Sequence, residues 1–204
     1  MAVEGIVFYA CSKINDGDVI VTYGYSSVVE ATFLFAAGQQ NKRFHVVVID
    51  SFPRFEGRKL LEVLSKAGLP CTYLLISAAA YMMRGANKVM IGAAGVRANG
   101  NVSSRCGTAS VCMMAQYYRV PVMVLCQTFK FTESVLLDSF CDNEIGDPEE
   151  VVAVSTPGMS SLLKDWRSTK NTLNVRRNLP RNLPPPARCP QQWLLDELTR
   201  ACRC

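Results

Sequence analysis

At 204 residues the chain is long enough for one good-sized domain and short for two. Hydrophobic residues make up 49% and charged residues 19%, which supports a packed core and excludes disorder over the bulk of the chain. The net charge of +5 is mostly local: from Leu173 onward six arginines face only Asp196 and Glu197, so the basic balance does not argue that the folded part binds nucleic acid.

The opening stretch, Met1 to Asp18, has a short apolar run with no basic region ahead of it and no small-residue cleavage site. A secretory signal is therefore not expected. No apolar run reaches the roughly 18–20 residues that cross a bilayer, so no membrane span is expected and the chain reads as cytosolic. Asp16-Gly17-Asp18 is a turn signal ahead of a β-branched strand, Val19 to Thr22. Gly24 ends that strand. Ser26 and Ser27 then stand where a helix cap belongs, with Glu30 in the first turn and Gly38 as the stop.

The second strand runs from Phe44 to Ile49 and ends at Asp50. A helix from Gly57 places Leu60, Leu61, Leu64 and Ala67 on one stripe and stops at Gly68. Cys71 to Ile76 is the third strand, and Ser77 caps a short helix through Met83. Lys88 to Ile91 is the fourth. A loop rich in Gly and Asn follows, then a helix from about Arg105 to Tyr118, then a fifth strand from Val120 to Cys126. Strands alternate with helices, and the strands are continuously apolar. Both features predict an α/β fold: a Rossmann-like, mostly parallel sheet with helices on both faces. Ligands of such folds gather at the carboxyl ends of the strands.

Beyond Asp147-Pro148 the composition shifts. Six of the ten prolines follow residue 150, and Arg176 to Pro186 suits neither a helix interior nor a central strand. It is expected to be extended and exposed, with a short helix from Gln191 to Ala201.

Nine cysteines, an odd number with no C-x-x-C pair, read as reduced thiols of an intracellular core. His45 is the single histidine and has no visible partner in the sequence, so no metal site is expected. Three strand ends carry the chemistry-bearing residues. Gly92 to Asn101 lacks the dinucleotide fingerprint, the P-loop lysine and the nucleophile elbow, which argues against a redox nucleotide domain. Its amides, with Asn99 and Arg105, suit either an anion or a plain tight connection. In the segment Asp50 to Arg58, the aspartate suits either a ligand hydroxyl or a loop contact. Arg54 and Arg58 suit either phosphate or a surface pair with Glu56, the commoner outcome. Tyr25, Ser26 and Ser27 suit either a phosphate or a simple cap.

Four of these segments form an ordered series: D-G-D-V-I-V-T-Y-G-Y-S-S, V-V-I-D-S-F-P-R-F-E-G-R, I-G-A-A-G-V-R-A-N-G-N-V-S-S-R-C-G-T and V-P-V-M-V-L-C-Q-T-F-K-F. The series, extended by D-N-E-I-G-D-P-E-E, resembles the C-terminal domain of the regulatory subunits of eukaryotic translation initiation factor 2B, most of all the delta type. It covers roughly residues 5 to 150. Related methylthioribose-1-phosphate and ribose-1,5-bisphosphate isomerases use a cysteine and an aspartate; the resemblance places these at Gly24 and Ala94, which carry no titratable atom.

The resemblance therefore implies a scaffold without catalytic residues, metal or cofactor. A vestigial ligand pocket would involve Tyr25, Ser26, Ser27, Asp50, Arg54, Asn99 and Arg105. The implied function is non-catalytic: assembly with the beta, alpha, gamma and epsilon subunits of the exchange factor and binding of the alpha subunit of initiation factor 2, with no direct nucleic-acid or membrane contact. A sugar-phosphate isomerase is the alternative. The implied organisation is a remnant of a helical region over 1–17, a Rossmann-like domain over 18–172 and a divergent Arg/Pro-rich tail over 173–204. That tail stands where the family has a closing strand and helix, so the sheet is expected to be incomplete at its C-terminal end and prone to aggregation. An altered reading frame or splice junction would account for the abrupt change.

Overall fold

Five strands pair side by side in parallel in the computed structural model, which describes residues 2–135. They are β1 (Val19–Tyr23), β2 (His45–Asp50), β3 (Cys71–Leu75), β4 (Lys88–Gly92) and β7 (Val122–Leu125). Their order across the sheet is β3-β2-β1-β4-β7. Parallel pairs need crossovers, and helices supply them. Helix α2 (Ser27–Gly38) joins β1 to β2, and α3 (Gly57–Lys66) joins β2 to β3. A single 3-10 turn and α4 (Ala79–Met83) lead to β4, and α5 (Thr108–Tyr117) leads to β7.

Why the strands read as continuous apolar runs is visible in their two faces. Successive side chains of a strand point to opposite sides. Ile20, Val46, Val48 and Met90 enter one layer with Val29, Phe33 and Ala36 of α2 and Leu60 and Leu64 of α3. Val21, Val47, Ile49, Val89 and Ile91 enter the other with Ala79 and Met83 of α4 and Val111 and Ala115 of α5. Helices therefore cover both faces, as the alternation of elements predicts. Helix α1 (Ala2–Ser12), expected as a remnant of a separate helical region, sends Ala10 and Cys11 into the first layer, where Ile14 joins them.

Three expectations need correction. The Gly/Asn-rich segment is not an open loop: β5 (Gly95–Arg97) and β6 (Val102–Ser103) form a hairpin, and β5 also pairs in parallel with β8 (Phe131–Thr132). The turn closes through Arg97 N–H to Asn101 C=O (2.8 Å) and Gly100 N–H to Arg97 C=O (2.9 Å). Strands of two and three residues are too short to show a period. Second, α5 begins at Thr108 and not near Arg105, because Gly107 before it sits at φ 97°, outside the helical region. Third, His45 does have a partner: its Nε2 lies 2.7 Å from Thr72 Oγ1 on the neighbouring strand.

The five described cysteines are all free thiols, but only Cys11 and Cys112 are buried. Cys71 is half-buried because β3 is an edge strand; Cys126, just past β7, is half-buried too, and Cys106 is exposed. Among the described residues no helix is long and apolar enough to cross a membrane. The Arg/Pro-rich stretch, the helix expected over 191–201 and the expected loss of the closing strand lie outside the described residues.

At the amino ends of β1 and β4, Lys88 Nζ meets Asp18 Oδ2 at 2.5 Å, with both side chains largely buried. Asp18 Oδ2 also accepts the Asn15 N–H at 2.8 Å. Removing one member of such a pair leaves the other charged group desolvated without compensation. Asp18→Ala is expected to lower unfolding stability by about 3 kcal/mol. Asp18→Ala with Lys88→Met should recover more than half of that loss, measured by urea denaturation.

Candidate functional site

The chain builds β1, β2 and β3 outward in one direction, then returns to the far side of β1 to lay down β4 and β7. The crevice between the carboxyl ends of β1 and β4 is therefore the switch point, where a doubly wound sheet opens to a ligand. Tyr23 to Ser27, Asp50 to Glu56, Gly92 to Ala94 and Arg105 to Gly107 meet at this end.

Gly24 leaves β1 at φ 63°, and its N–H donates to Ile49 C=O at 2.8 Å. A Cβ at this position would be strained by the backbone and would lie 3.6 Å from Cδ of Arg105. The aliphatic stem of Arg105 thus lies over Gly24. Its guanidinium forms an ion pair with the Glu56 carboxylate. Glu56 occupies the N-cap position of α3 but makes no capping hydrogen bond; its side chain reaches across the crevice instead.

Asp50 is buried, and both its oxygens are used. Oδ1 accepts the Ser51 N–H and Oδ2 accepts the Tyr73 hydroxyl, each at 2.9 Å. The carboxylate also packs on Gly57, the first residue of α3, where a helix start favours negative charge. Of the two contacts open to Asp50, the loop contact is present in the structure. Burial pushes the Tyr73 phenol above its ordinary pKa, although Arg58 hydrogen-bonds to it and lowers it.

Tyr23, at the end of β1, is the residue that sequence reasoning passed over. Its hydroxyl donates to Cys106 C=O and lies 2.6 Å from Ser51 Oγ. The phenol has one proton, so the Ser51 hydroxyl must donate to it. Burial pushes this phenol up as well, with Ser51 opposing, which keeps the donor in its O–H form. One side chain thereby ties the loop after β2 to the loop before α5. The clue in the sequence was a polar tip at the end of a β-branched strand.

The remaining predicted residues separate. Ser26 holds the N-cap position of α2, but its hydroxyl makes no capping bond. It packs on Gly92 so closely that a Cβ on Gly92 would stand 2.2 Å from Ser26 Oγ and 2.6 Å from Ser26 Cβ. Ser27 is exposed at the first position of α2. Tyr25 lies under Lys59, with Nζ 4.4 Å from the ring centroid. Arg54 is exposed, and Arg58 stacks on Phe55 at 4.5 Å. The expected pairing of Glu56 with Arg54 or Arg58 is replaced by the pairing with Arg105. Asn99 is spent on the hairpin, where its Oδ1 accepts the Asn101 N–H at 3.1 Å. So Ser26, Asp50 and Arg105 converge on the crevice, while Asn99 serves the turn. No cluster of three or more His, Cys, Asp or Glu residues among the described residues is arranged to hold a metal.

A family model described as the initiation factor 2 subunit family matches residues 1–168. The translation initiation factor eIF2B subunit delta of Dictyostelium discoideum is 46% identical over 183 residues, covering 88% of this chain and 29% of that protein. The ribose 1,5-bisphosphate isomerase of Pyrococcus furiosus is 34% identical over 173 residues, covering 85% of this chain and 51% of that enzyme. Among solved structures, the tetrameric eIF2B-beta2-delta2 complex from C. thermophilum matches with a TM-score of 0.65 at 38% identity, over 67% of this chain and 44% of that one. The chain thus spans between about a third and a half of the length of these relatives.

The tight seat of Ser26 on Gly92 generates a test. Gly92→Ala is expected to destabilise by about 1–3 kcal/mol through overpacking. Adding Ser26→Gly removes both clashing atoms and should restore most of the loss, as read from thermal unfolding midpoints.

Proposed function

The chain belongs to the initiation factor 2 subunit family, and from that premise we propose that it is a non-catalytic, delta-like regulatory subunit of the eIF2B exchange factor. It would act in the cytosol through assembly with the beta, alpha, gamma and epsilon subunits and through binding of the alpha subunit of initiation factor 2. The observation that carries this reading is the switch point. Gly24 and Ala94 stand where the resemblance puts the isomerase cysteine and aspartate, and neither can move a proton. Gly24 is further held at a positive φ under the stem of Arg105. Asp50, the carboxylate that remains, is buried beneath Tyr73 and Ser51. The likeness to delta subunits and to a beta2-delta2 assembly supports the role in assembly.

The isomerase alternative rests on the 34% identity to a ribose 1,5-bisphosphate isomerase. Two assays separate the readings. Co-expressed with the beta subunit, the soluble chain should carry beta through affinity purification, below equal stoichiometry. Supplied with ribose 1,5-bisphosphate or methylthioribose-1-phosphate, it should show no turnover. Failure to recover any subunit of the factor with soluble chain would count against the assembly reading. Turnover lost on Asp50→Asn would replace it with the isomerase.

A further inference from the structure

The crevice over Gly24 contains an arginine that already has its anion. Arg105 comes from the loop before α5, and its stem packs on Gly24 at the switch point. Glu56 comes from the loop after β2, on the other side of the crevice. The two side chains meet as an ion pair across the opening. Each keeps part of its surface in solvent, with 46% exposure for Arg105 and 27% for Glu56.

The way Glu56 is held is unusual. The preceding residue, Phe55, has φ 45°, a left-handed conformation that a bulky side chain adopts rarely and at a cost. Such a conformation persists where the surroundings impose it. Here the Phe55 ring packs edge-on against Phe52 at 5.8 Å and lies under the Arg58 guanidinium at 4.5 Å. From this turn Glu56 reaches toward Arg105 and does not cap its own helix. Two further polar side chains at this opening are engaged within the protein: Tyr23 with Ser51 and Cys106, and Asp50 with Ser51 and Tyr73.

We propose that Glu56 is an internal latch: its carboxylate occupies the guanidinium of Arg105 in the place of an external oxyanion, so the crevice rejects phosphate-bearing ligands while the pair is closed. A carboxylate and a phosphate compete for the same guanidinium donors. Entry of an oxyanion would therefore require Glu56 to leave and would set a second negative charge near Asp50. The latch concerns the chain's own crevice and does not depend on which subunits it binds.

The test uses the full chain with inorganic phosphate as the probe. Thermal unfolding is followed in rising phosphate for the wild type, for Glu56→Gln, and for Glu56→Gln with Arg105→Gln. The double variant reports the general stabilisation that phosphate gives any folded protein. Glu56→Gln should show a saturable rise in midpoint beyond that of the double variant, as expected for a ligand that binds only the folded state. The wild type should match the double variant. A wild type that rises as far as Glu56→Gln would show that Glu56 blocks nothing. A Glu56→Gln protein that matches the double variant would show that Arg105 gathers no anion there. Should both Glu56→Gln and Glu56→Ala fail to fold, Glu56 is a structural necessity and the latch does not exist.

Discussion

Strand β1 is paired in parallel on both sides, with β2 along its whole length and with β4 beside it. A strand in that position has no edge and no solvent-facing side. Ile20 and Val21 take part in both ladders, and side chains there are buried above and below the sheet. The two lie on opposite faces. The two halves of the chain then wind away from β1 in opposite directions, so the loops after β1 and β4 diverge and leave a crevice. The candidate site follows from that one central pairing.

Within the crevice, the polar groups act as struts. Tyr23 joins the loop after β2 to the loop before α5, and Asp50 joins β2 to the start of α3 and to Tyr73 on β3. Arg105 and Glu56 close the opening above them. Proton-transfer chemistry needs groups that are left available to a substrate. Here the hydrogen-bonding capacity of the strand ends is turned toward rigidity. Close approaches reinforce this: the contact of Ser26 with Gly92 brings the start of α2 hard against the end of β4. The same scaffold, with titratable groups at Gly24 and Ala94, would have a different chemistry at the same end of the sheet.

The order of elements was legible because strands buried on both faces leave long apolar runs, and helices with one buried face leave stripes such as Leu60 and Leu64. Two of the corrections fall where those periods are absent. The β5–β6 hairpin rests on pairs of residues, and the start of α5 was decided by the left-handed conformation of Gly107. At the site, Asp50 and Ser26 lie at the strand ends where the sequence placed them and Arg105 lies in the loop before α5, but their contacts were not readable. A side chain's partner depends on distance in space, and Glu56 found Arg105 in place of its neighbours Arg54 and Arg58. The role of Tyr23 was hidden for the same reason, since Ser51 and Cys106 approach it only after three strands have paired.

By itself, then, the sequence determined the fold class, the succession of the five parallel strands and the helices between them, and the absence of titratable groups at Gly24 and Ala94. These are properties of local pattern and residue identity, which no folding can alter. The tertiary structure alone decided that Arg105 is matched by Glu56, that Asp50 is a buried tie, and that Ser26 seats on Gly92 without capping α2. Those outcomes depend on which segments the parallel pairings bring within a few ångströms of one another, and no short-range pattern encodes that.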